Sequence, residues 1–150
     1  MASRTLLLFV EDDAQESFLR PLAMRLAQEA GVPIDIITRH ASGGVGATLR
    51  ALKEFVRRHE KGHESLPDGI LAAVDANCHG YSGRQKEVME SVGDLAQFVI
   101  PAIPDPHIER WLLLDAEAFR TVLGRGCQAP DAKCEKDRYK MLLAQAVADT

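Results

Sequence analysis

Five consecutive apolar residues, Leu6 to Val10, run without a break into three consecutive acids, Glu11, Asp12 and Asp13. A strand that is apolar on both faces must be covered on both sides, which is the situation of a buried strand in a parallel sheet packed between helices. The same design returns at Ile70 to Val74, which stops at Asp75. In sheets of this kind ligands collect at the carboxyl ends of the strands. The acids that end these two runs are therefore the first candidates for function.

The remainder of the chain alternates helix and strand signals. Asp13 with Glu16 resembles a capping box, and Phe18, Leu19, Leu22, Leu26 and Ala30 supply a helical apolar face. Pro21 predicts a kink or a restart, and Gly31 a stop. Ile34 to Thr38 is β-branched and predicts the second strand. Ala41 to Gly46 then turns the chain. A second helix is expected over Thr48 to Lys61, with Leu49, Leu52, Val56 and His59 on one side and a basic stripe, Arg50, Lys53 and Arg57, on the other. Gly62 to Gly69 reads as a polar loop and Ala76 to Gly83 as a turn-rich segment. Gln85 to Val92 reads as a short helix, and Gln97 to Ile100, bounded by Gly93 and Pro101, as a fourth strand. Asp105 and Pro106 predict a helix start before Ile108 to Leu114, with Trp111 in the core beside Ile108 and Leu114 or Leu112. Asp115 is expected to cap a further helix that Gly124 stops, and Glu135 to Val147 to form the last one. The sum is a Rossmann-like three-layer α/β sandwich with a mainly parallel sheet of about four strands, followed by C-terminal helices.

At 150 residues, with 46% hydrophobic and 27% charged content, the chain has the size of one globular domain. Its core is expected over about 5–115, with a helical extension over about 116–150. No apolar run approaches the ~20 residues of a membrane span, and the start shows no signal-type cleavage site. A soluble, cytoplasmic protein is expected. Cys78, Cys127 and Cys134 cannot all pair within one chain and form no C-x-x-C, so reduced thiols are expected; a zinc site from Cys78, His79, Cys127 and Cys134 would lack the paired spacing. A net charge of −4 argues against coating of nucleic acid by total charge. Local stripes remain, Arg50 with Lys53 and Arg57, and Lys133 with Lys136, Arg138 and Lys140, each of which also fits an ordinary solvated helix face. Gly43 to Thr48 resembles a phosphate loop but lacks its lysine, and no G-x-S-x-G elbow is present.

The predicted ligand edge gathers Glu11, Asp12, Arg39, His40, Asp75, Asn77 and the segment Pro101 to Glu109. Carboxylates brought together repel one another, so they need either full hydration or a cation. Oxygen donors favour Mg2+ or Mn2+ over zinc. Glu11, Asp75 and Glu109 are the candidate ligand set; the structural alternative has Glu109 complementing a helix dipole and Asp75 capping the next turn. His40, His79 and His107 fall at the same edge and are candidates for proton transfer or ordinary loop histidines.

Three segments together resemble the TOPRIM domain, named for topoisomerases and primases. Leu6 to Glu11, followed by a helix with Glu16 and Phe18, is similar to its first motif, and Asp75-Ala-Asn77 is similar to its second. Pro104 to Asp115, with Ile108-Glu109-Arg110-Trp111-Leu112, resembles the proline, glutamate and tryptophan signature of small stand-alone bacterial TOPRIM-related proteins, akin to the nuclease part of OLD-family proteins and often encoded beside an ATPase. The resemblance implies a TOPRIM-like fold and Mg2+- or Mn2+-dependent phosphodiester cleavage in bacterial defence or repair. Glu11 would act as general acid or base, and Asp75, Asn77, Glu109 and Asp12 would hold metal. A nucleic-acid partner is expected with it, DNA before RNA, and the strand edge and basic stripe offer Arg39, His40, Arg50, Lys53 and Arg57 as its candidate contacts. A homodimer or an ATPase would be the protein partner. Two positions depart from the family pattern: Asn77 stands where a second aspartate is usual, and Asp12 where a glycine follows the first glutamate.

Two other function classes fit parts of the pattern. Leu7 to Asp13 also resembles the opening of a response-regulator receiver domain, with Asp75 as phospho-acceptor, but no Ser or Thr ends strand four and no lysine precedes a later proline. A noncatalytic TOPRIM-like module that docks a larger partner is the third.

Overall fold

The structure, a computed structural model, describes residues 1–123 and 138–148. The chain forms two compact units, Met1–Val74 with Arg84–Ala102, and Asp75–Gly83 with Ile103–Thr150.

The first unit is built from β1 (Arg4–Val10), α1 (Asp13–Glu29), β2 (Ile34–His40), α2 (Gly44–Glu60), β3 (Gly69–Ala73), most of α3 (Tyr81–Val92) and β4 (Val99–Ala102). Its four strands are all parallel, in the order β2-β1-β3-β4. This order puts a topological switch point between β1 and β3, because the chain leaves β1 toward β2 and then crosses back over β1 to reach β3.

Leu7, Leu8, Phe9 and Val10 are at most 3% exposed. Leu7 and Phe9 pack with Ile70, Ala72 and Val99 beneath Leu52 and Phe55 of α2 and Val88 and Val92 of α3. Phe9 and Phe55 meet edge to face, ring centres 6.0 Å apart at 72°, an arrangement aromatic quadrupoles favour. Strand alternation sends Leu8 and Val10 to the other face. There α1 lies, since Arg20 Nη1 donates to Thr38 Oγ1 at 3.0 Å and Thr38 is the register partner of Leu8. The result is the expected Rossmann-like three-layer α/β arrangement.

Both long helices end in the same way. After α1 the Gly31 and Val32 amides donate to the Gln28 and Ala27 carbonyls; after α2 the Gly62 and His63 amides donate to those of His59 and Arg58. These paired bonds satisfy carbonyls that a helix end would otherwise leave open, and they need a left-handed residue, supplied by Gly31 at φ +67° and Gly62 at φ +76°.

Several expected boundaries move. α1 runs through Pro21 without a restart. Of its predicted apolar face only Leu19 is buried, while Leu22 and Leu26 are 40% and 56% exposed. α2 begins at Gly44, so Gly44 to Gly46 form its first turn; its buried side chains are Thr48, Leu52 and Phe55. β2 continues through Arg39 and His40. α3 starts at Tyr81 rather than Gln85. β4 lies two residues later than expected, with Pro101 inside it opposite Ala72; an edge strand tolerates proline because one side of its ladder is unused.

The second unit holds a 3-10 turn at Asn77–His79, α4 (Ile108–Leu114), α5 (Ala116–Leu123) and α6 (Arg138–Ala148). Leu113 and Tyr139, each 1% exposed or less, join α4 to α6 with Leu142, Leu143 and Ala146 around them. The Asp105–Pro106 peptide is cis, and α4 starts two residues later with His107 at its N-cap, so the expected Asp-Pro helix start is not used. Trp111 is half-buried and Leu112 and Leu114 are exposed; Ile108 and Leu113 take the buried positions. Asp115 caps α5 as expected, its Oδ1 accepting from the Ala118 amide at 2.9 Å. The Gly124 stop, the Glu135 start of the last helix, Lys133, Lys136, Cys127 and Cys134 lie outside the described residues.

A Cβ added at Gly31 would have no atom within 4 Å, so Gly31→Ala loses only the backbone preference, about 1 kcal/mol. Urea unfolding should show a lowered midpoint at unchanged slope; an unshifted midpoint would contradict the left-handed cap.

Candidate functional site

Glu11 follows β1 directly and is held by the start of α1. Asp12 is the N-cap, its Oδ1 accepting from the Gln15 amide at 2.9 Å, and the Gln15 Oε1 accepts from the Glu11 amide at 2.8 Å. Gln15 is fully buried. The cap is thus Asp12, one residue earlier than the expected Asp13 with Glu16, and the Gln15 side chain reaches past it to the Glu11 amide. Two consequences follow for the acids. One Asp12 oxygen is engaged by the helix end, and the Glu11 backbone is fixed where the strand stops. Asp13 and Glu16 turn instead to His40, whose Nε2 lies 3.0 Å from Glu16 Oε2 and whose Nδ1 lies 3.8 Å from Asp13 Oδ1.

Arg39, expected to contact nucleic acid, makes a two-pronged ion pair with Glu64, both contacts at 2.9 Å. Its guanidinium also sits 5.6 Å from the Phe55 ring centre, and Arg58 approaches the same carboxylate at 3.5 Å. The hydrogen bonds from Arg39 hold the Glu64 carboxyl below the usual carboxylate range, against the opposing effect of its burial. Arg50 and Lys53 are exposed on α2. Arg57 is exposed as well but pairs with Glu54 at 2.7 Å, which lowers the Glu54 pKa and raises that of Arg57. Arg50 and Lys53 are therefore the members of the stripe best suited to contact a phosphate.

In the second unit, Asn77 takes a left-handed conformation at φ +51°, which asparagine adopts more readily than most residues. Its amide donates to the Pro106 carbonyl at 3.0 Å, and its Oδ1 lies 2.7 Å from His107 Nε2. Arg110 Nη1 donates to the Asp105 carbonyl at 2.9 Å. The segments around Asn77 and His107 are thereby tied together. The neutral amide at position 77 has a local explanation in this backbone and this hydrogen bond. Glu109 stands in the first turn of α4, its side chain 13% exposed, with Lys140 of α6 at 4.0 Å. Its first-turn position fits the structural alternative, a carboxylate that complements the helix dipole.

Among the described residues no three His, Cys, Asp or Glu side chains converge as a metal-binding group. Cys78 is exposed on the 3-10 turn. Sequence reasoning missed Gln15 and Glu64. The spacing Asp12-x-x-Gln15 is a capping-box signal that pointed to the first; nothing local pointed to the second, whose partner lies 25 residues away. Comparison with protein-family models, curated proteins and solved structures finds no match to the chain.

Glu64→Gln should destabilise the fold by about 1–3 kcal/mol at neutral pH, the loss of hydrogen bonds to a charged group. Because the folded-state pKa of Glu64 is depressed, its stabilisation is present above the ordinary carboxylate value of about 4.3 and is lost as pH falls through the lowered one. Urea unfolding of both proteins should show the gap closing in acid; a gap that persists with Glu64 protonated would contradict the ion-pair account.

Proposed function

We propose that this chain is a TOPRIM-like, Mg2+- or Mn2+-dependent nuclease that acts on DNA in the cytoplasm. The observation that carries this function is the sheet order. β1 and β3 are parallel neighbours at the topological switch point, and their chain continues into Glu11 and into Asp75, respectively. Ligands in open α/β sheets bind at the carboxyl ends of such strands.

Glu11 and Asp75 offer carboxylate oxygens, and Asn77 an amide oxygen with a lone pair beyond the one that faces His107. Oxygen donors of this kind suit a hard cation. When bound, the metal would stabilise charge developing on the phosphoryl oxygens. Glu11 would move the proton as general acid or base, its backbone fixed by Gln15. Arg50 and Lys53, exposed on one side of α2, would contact the phosphate backbone. Specific DNA interfaces bury about 1,000 Å² of protein or more, a large share of so small a surface. A second copy or an ATPase partner in a defence or repair setting would supply the rest.

A noncatalytic docking module is the competing function. It is favoured by the engagement of Asp12 in the helix cap and of Asn77 with His107. The receiver alternative is weaker, since β4 ends at Ala102 without the Ser or Thr it requires.

Degradation of plasmid and single-stranded DNA with Mg2+ or Mn2+ distinguishes them. Cleavage by the wild type is expected, reduced about 10²-fold or more in Glu11→Ala and Asp75→Ala. Equal activity in all three, or none in the wild type, would overturn the nuclease function.

A further inference from the structure

We infer that the outer edge of β2 is the interface of a two-fold symmetric homodimer in which the sheets of two copies join into one. Among the described residues, β2 and β4 are the two edge strands. They differ in kind. β4 has four residues and contains Pro101, features that protect an edge from pairing. β2 has seven residues with no proline, and its Ile37 is 52% exposed. A long edge with an exposed β-branched residue at its centre is a template for another strand.

The hydrogen-bonding phase of β2 follows from its two ends. The Pro33 carbonyl accepts from the Arg4 amide and the Ala41 amide donates to the Val10 carbonyl, so odd-numbered residues face β1. Ile34, Ile36, Thr38 and His40 therefore present their backbone N–H and C=O outward. A second copy related by an axis through Ile37 places Ile36 opposite the partner's Thr38 and Ile34 opposite the partner's His40 as hydrogen-bonded antiparallel pairs. Ile37 then meets the partner's Ile37, and Asp35 the partner's Arg39, as the pairs whose side chains approach most closely.

The occupant is fixed by this charge complementarity. Asp35 is the acid of the strand and Arg39 its arginine, and only the axis through Ile37 sets them opposite each other. Moving the axis to Ile36 or Thr38 keeps the hydrogen bonding but places Asp35 against Ile37 or Ala41 of the second copy. Arg39 remains 40% exposed beside Glu64, which leaves room for a second carboxylate. Hollows flank the strand on both faces of the sheet. One of about 270 Å3 is lined by Ile34 with Met24, Ala27 and Val32, and one of about 390 Å3 by Ile37 with Phe55 and Leu66. A continued sheet would extend over both, as a closed isologous contact.

Light scattering after size exclusion of the full chain tests the dimer. Twice the chain mass is expected for the wild type, and the single-chain mass for Ile37→Asp with its circular dichroism unchanged. Ile37→Cys, on the axis, should form a disulfide-linked dimer on oxidation, because close antiparallel pairs fall within disulfide Cα distances; Ile36→Cys and the wild type should not. A wild type that stays monomeric, or a dimer indifferent to Ile37→Asp, overturns the interface. If Ile37→Asp fails to fold, the cysteine pair decides, and absence of the Ile37→Cys crosslink overturns the two-fold register.

Discussion

The complete burial of the second half of β1 is the constraint on which the first unit depends. Leu7 and Phe9 face α2 and α3 while Leu8 and Val10 face the other side, and none is more than 3% exposed. A strand with no wet face needs neighbours on both edges and helices on both faces, which forces crossover connections and parallel pairing. The inner position of β1 in the sheet and the helix layers on its two faces answer that requirement. Glu11 is the first residue after β1 that is not fully buried.

Those acids divide into different tasks. Asp12 closes the N-terminus of α1, Asp13 and Glu16 turn to His40, and Glu11 is held by Gln15 at the strand end. In the second unit, Asn77 ties the turn after β3 to His107. Three consecutive acids thus need not form one cluster, because a helix start immediately after a strand separates neighbouring side chains and takes one as its cap. Arg50 and Lys53 are exposed on the α2 stripe, whereas Arg57 is paired with Glu54.

The elements legible in the sequence were those whose signal is local. Leu6 to Val10 and Ile70 to Val74 announce buried strands by apolar continuity, and Gly31 announces a helix end by the left-handed conformation that glycine adopts without strain. The start of α2 is not legible because Gly44 and Gly46 have poor helix propensity, which burial of Leu52 and Phe55 outweighs. β4 differs from its expected bounds because Pro101 reads as a boundary unless the strand is known to be an edge. The helix cap falls one residue before the expected Asp13 because Asp12 and Asp13 are equivalent in the sequence pattern. Arg39 read as a nucleic-acid contact because its partner, Glu64, is distant in sequence and lies in a segment whose pattern says only loop.

The central proposal is that Glu11 and Asp75 are ligands of a divalent cation. Paramagnetic broadening of backbone amide resonances during titration with Mn2+ measures this without reference to cleavage. Binding at the pair predicts broadening centred on residues 11–12 and 75–77, reversed by excess Mg2+ and abolished together at both segments by Asp75→Ala. Broadening centred elsewhere, or at one segment without the other, would contradict it.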